Sequence, residues 1–589
     1  MRRRTVGGPR RNGRALARAG GAALLVAGLF AAAPPPASAA GAGLPGAYLA
    51  ARAAAAREDH AAAARYFAEA LSRDPDNLAL RDRTLTYMLL IGDLRGAARV
   101  AEPLLSADPS HRLAALALTA EDLRAAEFDA AAERLNDDSD GMNRLVAGLL
   151  AAWAEVGRAD REAMEARFAA LEGDAMTEIF ATYHLGLARA AMGDLEGARE
   201  ALSDAMRGGA SATGRPALAL AAVLEMLDRP EQARTIYEGA LGQEGFGRRA
   251  EEALARMERG ESASLLVRSA RSGAAEAFFS IAGALGADRN ATVALLYARL
   301  ATALRPELHE AHLLIGEILV SEGRHAEAAS AYATVPRRSP LFFSAEIGRA
   351  DALMELGRED EAIVALRAVA EAESDSLRAW LALAGAQRRT ERWEEAAAAY
   401  DRAIALLDPV EERHWSVFYE RGIAHERAGD WEQAEADFLR ALELRPEQPL
   451  VMNYLGYSWV ELRRNLERAQ AMIEKAVEQR PDDGYITDSL GWVLYRLDKF
   501  EEAVPHLERA VELKPTDPII NDHLGDALWM VGRKREARFQ WRRALSFDPE
   551  PEDAERIRSK LDRGLDAVLR EERAAEAAAA AATTESDGG

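Results

Sequence analysis

The 589-residue chain contains no cysteine. That excludes disulfides, thiolate metal sites, a cysteine nucleophile and a lipid-modified N-terminal cysteine. Aromatic residues are scarce, at 6%. Alanine, leucine, glutamate and arginine dominate instead, a mixture that favours helix over strand. Positive charge is in the minority too, with 74 Lys and Arg against 96 Asp and Glu for a formal charge of −22. Contact with nucleic-acid phosphates needs clustered Lys and Arg, so a chain this acidic is a poor nucleic-acid binder. The acidic excess reads as a solvated surface, with steering of basic partners as its other use.

No long apolar run interrupts the body of the chain. The one apolar stretch, 19–33, follows a head that carries Arg2, Arg3, Arg4, Arg10, Arg11, Arg14 and Arg18 and no acid. It falls short of the roughly 20 residues that span a bilayer comfortably. Three prolines follow, then Ala37-Ser38-Ala39, with small side chains at the two positions that a signal peptidase reads. These features predict a signal peptide over 1–39, cleavage before Ala40 and a periplasmic body with a formal charge of −29. The alternative is an uncleaved inner-membrane anchor with the body facing the periplasm.

A fixed period organises the rest. Segment 415–448 carries Gly422, Ala434, Phe438, Ala441 and Pro446; segment 484–517 carries Gly491, Ala503, Leu507, Ala510 and Pro515. Segment 518–551 carries Gly525, Gly532, Ala537, Trp541, Ala544 and Pro549. Segment 449–483 carries Gly456, Ala469, Ile473, Ala476 and Pro481, with one residue inserted in its turn. The small residues at positions 8 and 20 let two helices cross closely. Apolar residues at positions 4, 7, 11 and 24 surround the crossing. Glycine near position 15 supplies a left-handed turn, and proline at position 32 ends the second helix.

This spacing resembles the tetratricopeptide repeat (TPR). The frame extends back through Leu366, Tyr332 and Ala301, and more weakly through Tyr237, Ala198, Ala97 and Phe67. It implies an all-α TPR solenoid, a right-handed superhelix of about fourteen antiparallel hairpins. The expected division is a degenerate sub-array over 40–247, an irregular helical junction over 248–274 and a second sub-array over 275–551. A capping helix over 552–573 and a disordered tail over 574–589 complete it.

The motifs that carry chemistry fail individually. His309-Glu310-Ala311-His312 spaces its histidines i and i+3, whereas a zinc helix needs i and i+4. The loop from Asn136 to Gly141 opens like a calcium loop, but Ala147 stands where a bidentate glutamate is needed. There is no phosphate-binding loop of the G-x-x-x-x-G-K-[ST] type and no G-x-S-x-G elbow. The reading is a non-enzyme without cofactor, metal or small-molecule substrate.

In a TPR stack, positions 2, 5, 9, 12 and 13 of each repeat are expected to face a groove lined by the first helices. In the last three full repeats these include Asn453, Tyr457, Tyr485, Asp488, Trp492, Tyr495, Arg496, Asp522, Asp526 and Trp529. Aromatics with a polar handle are enriched at interfaces, so these ten residues form the candidate partner-binding groove. The competing reading is that the aromatics pack between adjacent hairpins.

The run Asn453-Tyr454-Leu455-Gly456-Tyr457, with Asp488-Ser489-Leu490-Gly491-Trp492 and Asp522-His523-Leu524-Gly525-Asp526, resembles a group of proteobacterial exported TPR adaptors. Ala294-Leu295-Leu296-Tyr297-Ala298-Arg299-Leu300-Ala301 is similar to that group's middle repeats. The group includes a lipoprotein adaptor that binds and activates a carboxyl-terminal-processing protease and brings it cell-wall hydrolases. The resemblance implies protein partners of that kind in the cell envelope: a protease, a hydrolase or a subunit of an assembly complex. This chain departs from it in lacking the cysteine through which the adaptor is lipidated. A structural subunit of a polysaccharide or lipopolysaccharide assembly and export machine is the alternative, and a membrane-anchored assembly factor is a third.

Overall fold

The computed structural model describes residues 44–136, 144–171, 173, 175–208, 214–241 and 246–586. The expected leader over 1–39 and the residues Asp137–Gly141 of the calcium-like loop lie outside them. Among the described residues every regular element is helical and none is a strand. Thirty-one α-helices pair as fourteen hairpins, with one helix left over, Gly247–Glu258, and a terminal pair, Pro551–Arg563 and Leu565–Ser586. None of the described helices is long and apolar enough to cross a membrane.

Local chemistry explains the hairpins. Asp59, Asp93, Asp160, Asp194 and Asp430 each cap a second helix, accepting a hydrogen bond from the backbone N–H three residues on. The turn before each cap needs one left-handed residue, supplied at no steric cost by Gly92, Gly193, Gly323, Gly429 and Gly532. Ala126, Glu391 and Asp498 take the same conformation, at a cost of about 1–2 kcal/mol each. The residue inserted in repeat 449–483 is absorbed by two left-handed residues, Arg463 and Asn465. At the crossings, an added Cβ on Gly456, Gly491 or Gly525 would meet Ile473, Leu507 or Trp541 within 2.4–2.8 Å. Opposite them Ala469, Ala503 and Ala537 are wholly buried.

The chain forms two compact units, one running to Ala372 and the other from Glu373 onward. The segment 248–274, expected as a junction, holds the unpaired helix Gly247–Glu258 and lies inside the first of these units. The hairpin that follows that segment, Ala270–Arg289 and Ala291–Leu304, packs back onto earlier first helices. Ala270–Arg289 lies against Arg112–Ala125, Arg144–Gly157 and Ala175–Ala191, and Ala291–Leu304 lies against Leu78–Ile91 and Arg112–Ala125. Gly273 lets the buried Trp153 indole approach so closely that a Cβ there would stand 2.1 Å from it. Beside this contact the Trp153 indole N–H donates to His184 Nδ1 at 3.2 Å. The Tyr183 hydroxyl donates to Glu276 at 3.0 Å, and Arg215 binds the same carboxylate at 2.5–2.6 Å. Repeat periodicity reports a hairpin's internal packing and is blind to which hairpin fills another's open side.

Two further expectations change. The single capping helix over 552–573 is two helices, because Gly564 at φ 82° breaks it. The segment 574–586, expected to be disordered, continues the last helix to Ser586. The residues of the zinc-like motif serve as structure: Glu310 pairs with Arg215 and Arg249, and His312 Nε2 lies 2.9 Å from the Pro306 carbonyl.

Candidate partner-binding groove

The ten groove candidates sit on three consecutive first helices, Pro449–Glu461, Gly484–Arg496 and Pro518–Met530, which lie side by side. Each helix starts at a defined residue. Gln448, Asp483 and Asp517 accept from the first free backbone N–H groups, and prolines at 449 and 518 suit the first turn. With starts fixed this way, positions 5, 9 and 12 of one helix fall opposite their counterparts on the next.

The structure brings these residues together, but mostly against one another. Asn453, Asp488, Trp492, Tyr495, Asp522, Asp526 and Trp529 are buried; Tyr457, Tyr485 and Arg496 are half-buried. The expectation of an open aromatic lining is therefore corrected: the seven are buried, and Asp488, Trp492, Asp522, Asp526 and Trp529 bond to groups of the neighbouring hairpin or the terminal pair. Trp492 is sandwiched between Tyr495, at 4.8 Å between centroids, and His523, at 3.9 Å, with its rings nearly parallel to both. Its indole N–H donates to Glu461 at 2.8 Å, and Arg496 binds that same carboxylate at 2.7 Å. Asp488 lies 3.0 Å from His523 Nδ1. Burial alone would lower the His523 pKa. The Asp488 carboxylate outweighs it, with Asp522 and Asp526 assisting, and the pKa is raised.

The third helix is covered by the terminal pair. Lys560 has no exposed surface and donates to Asp522 and Asp526 at 2.7–2.8 Å. Arg556 stands 3.5 Å from both carboxylates and binds Glu572 at 2.9 Å. Two cations thus balance two buried acids. Burial, against the pull of Lys560, raises the Asp526 pKa. Asp526 also accepts from the Trp541 indole, and Trp529 donates to Asp566, each at 3.0 Å. Glu461 falls at groove position 13 of its repeat, whereas His523, Lys560 and Asp566 were missed from sequence. His523 sits at position 6, outside both the packing and the groove positions of the repeat, and Lys560 looks like any solvated lysine of an amphipathic helix.

Of the ten candidates, Tyr457, Tyr485 and Arg496 stay partly accessible, as do Leu450, Glu461, Ile519 and Met530 on the same helices. The Asn453 side-chain oxygen is buried without a hydrogen-bond partner. Lys514 lies over the Tyr485 ring at 4.9 Å. Charged groups in the cluster are held by ion pairs rather than poised against a nucleophile, so its chemistry is that of fixing and presenting a surface.

A right-sized hairpin, a small-residue crossing and a side-by-side row of first helices define a helical-repeat scaffold of the α-solenoid class. Tetratricopeptide-repeat models match residues 279–341, 347–409, 463–518 and 415–448, which identifies tetratricopeptide repeats over those segments. It is 28% identical over 194 residues to a TPR repeat-containing protein of Pseudomonas aeruginosa, covering 33% of this chain and 32% of that one. The chain thus spans about a third of the length of the curated relative it matches. Among solved structures, a tetratricopeptide repeat protein from Parabacteroides merdae is 15% identical, covering 43% of this chain and 97% of that one with a TM-score of 0.37. The APC/C hetero-tetramer Cut9-Hcn1 is also 15% identical, covering 88% and 96% with a TM-score of 0.36. TPR repeats generally mediate protein–protein interaction, and this fold is typically a non-catalytic scaffold.

Proposed function

We propose that the chain is a periplasmic TPR adaptor that holds a processing protease, or the protease's substrates, in the cell envelope. The arginine-headed apolar leader and the Ala37-Ser38-Ala39 site support export. The repeat array supports protein binding. The observation that supports a specific surface is the accessible side of the first helices, where Tyr457, Tyr485 and Arg496 stay half-buried. Fixed aromatics on rigid helices lose little entropy when a partner covers them.

The test is affinity purification from envelope extract with the native chain and with Tyr457→Ala plus Tyr485→Ala. The two variants' melting curves verify that folding is kept. A protease that co-purifies with the native chain and is lost from the double variant supports the reading. Unchanged partners in a folded double variant reject this surface, and glycan-assembly proteins in place of a protease favour a structural role in an export machine. Mass spectrometry of the mature N-terminus addresses location: a start at Ala40 is expected.

A further inference from the structure

The second helix of the last full repeat, Lys534–Ser546, departs from the acidic character of the chain. From Arg533 to Arg543 it carries six basic residues and one acid, Glu536. Ala537, Trp541 and Ala544 face inward and are wholly buried. Several of the cations are used locally. Arg533 binds Glu508 and Glu536, Lys534 and Arg538 lie over the Trp529 ring, and Arg543 donates to the Pro515 carbonyl.

Three residues remain. Arg535, Phe539 and Arg542 are spaced i, i+4 and i+7, which places them within about 60° of one another on the helix. All three are exposed, and Phe539 is 58% exposed, the one aromatic among the large hydrophobic side chains that the described residues leave open. Neither arginine makes an ion pair or hydrogen bond with the described residues. A phenylalanine left in water between two free guanidinium groups has no role in the hairpin's own packing. An apolar anchor bracketed by charge is the composition of a binding patch.

We propose that this stripe docks an acidic helical segment of a partner protein, one that presents an apolar side chain between carboxylates seven residues apart. The two arginines stand about 10 Å apart along the helix axis, the rise of seven residues. A partner helix with glutamates at that interval meets both with one apolar residue over Phe539. Charge complementarity selects an acidic partner. The neighbouring helices Phe500–Leu513 and Pro551–Arg563 expose both signs of charge, Glu501, Glu502, Glu512, Glu552 and Glu555 with Arg509 and Arg558, so the all-basic stripe stands apart from them. The patch lies on a second helix, so it does not depend on the Tyr457 and Tyr485 surface.

The probe is a fluorescein-labelled, alanine-based helical peptide with glutamates seven residues apart and leucine between them. Its control replaces the glutamates with glutamine. Fluorescence anisotropy with the full chain should show binding of the glutamate peptide that weakens with added salt, because exposed ion pairs are screened. Arg535→Glu plus Arg542→Glu should weaken it by more than about tenfold, and Phe539→Ala by several-fold. Tyr457→Ala plus Tyr485→Ala should leave it unchanged, which separates this patch from the groove. All three positions are exposed, so circular dichroism should show every variant folded. No binding by the native chain, equal binding of the glutamine peptide, or equal binding by the charge-reversed variant would overturn the proposal. Arginine-dependent binding to phosphatidylglycerol vesicles without peptide binding would overturn it in favour of a membrane surface.

Discussion

Lys560 reaches both Asp522 and Asp526 at 2.7–2.8 Å from a position with no exposed surface, and so fastens the terminal helices to the last full repeat. Removing the cation would leave two buried carboxylates with only Arg556, at 3.5 Å, to balance them. Breaking a buried pair from one side costs about 3–5 kcal/mol. Lys560→Met should therefore destabilise the unit from Glu373 onward by that order in denaturant unfolding. Adding Asp526→Asn should recover part of the loss. Equal stability of Lys560→Met and the native chain would show that the triad carries no net energy.

The pairing of His523 with Asp488 predicts a pH dependence of the same unit. The folded-state pKa is raised, so the histidine's stabilising contribution is complete below its unfolded value near 6.5. It fades as pH rises through the higher folded value. His523→Gln should remove the loss of stability that sets in as pH rises above about 6.5. A melting temperature that falls with pH identically in both proteins would reject the assignment.

His184 predicts the opposite slope in the other unit. Burial lowers its pKa to about 4, as Arg215 also does to a smaller degree, while Glu276 pulls the other way. The unfolded chain takes up a proton below about 6.5 that the folded chain refuses, so stability is lost as pH falls from there to about 4. At roughly 1.4 kcal/mol per unit the loss is on the order of 3 kcal/mol. His184→Gln, which keeps an acceptor for the Trp153 indole, should flatten the acid limb of an unfolding titration.

Gly273 predicts a steric effect. A Cβ there would stand 2.1–2.3 Å from the Trp153 indole, which is wholly buried and cannot retreat. Gly273→Ala should cost about 1–3 kcal/mol, the usual range for an overpacked core. Pairing it with Trp153→Leu should cost less than the sum of the two single changes. Strict additivity would mean that the two residues do not press on one another.

The hairpins were legible in the sequence because their determinants are local. Ala434, Ala469, Ala503 and Ala537 recur at one position and are wholly buried, and Gly92, Gly429 and Gly532 recur at the turn and are left-handed. The groove was legible only as a set of neighbours. Tyr457, Trp492 and Trp529 fall on adjacent first helices as expected, yet their burial is decided by residues 30 or more positions away: Glu461 for Trp492 and Asp566 for Trp529. A repeat frame specifies which face a side chain takes but not whether the next helix covers it. The buried lysine is the clearest case, since an amphipathic charged helix gives no local sign that one of its cations enters a core.

The return of Ala270–Leu304 onto the earlier first helices has a consequence for how the chain matures. A chain folded only as far as residue 247 has complete hairpins but not a finished surface. Trp153, Tyr183 and Arg215 wait for Gly273 and Glu276, which follow them by 61 to 120 positions. Nearest-neighbour folding, the usual economy of a repeat protein, is therefore suspended in this unit. A later-made hairpin closes earlier ones, and a chain cut at the apparent junction would expose an unfinished interior.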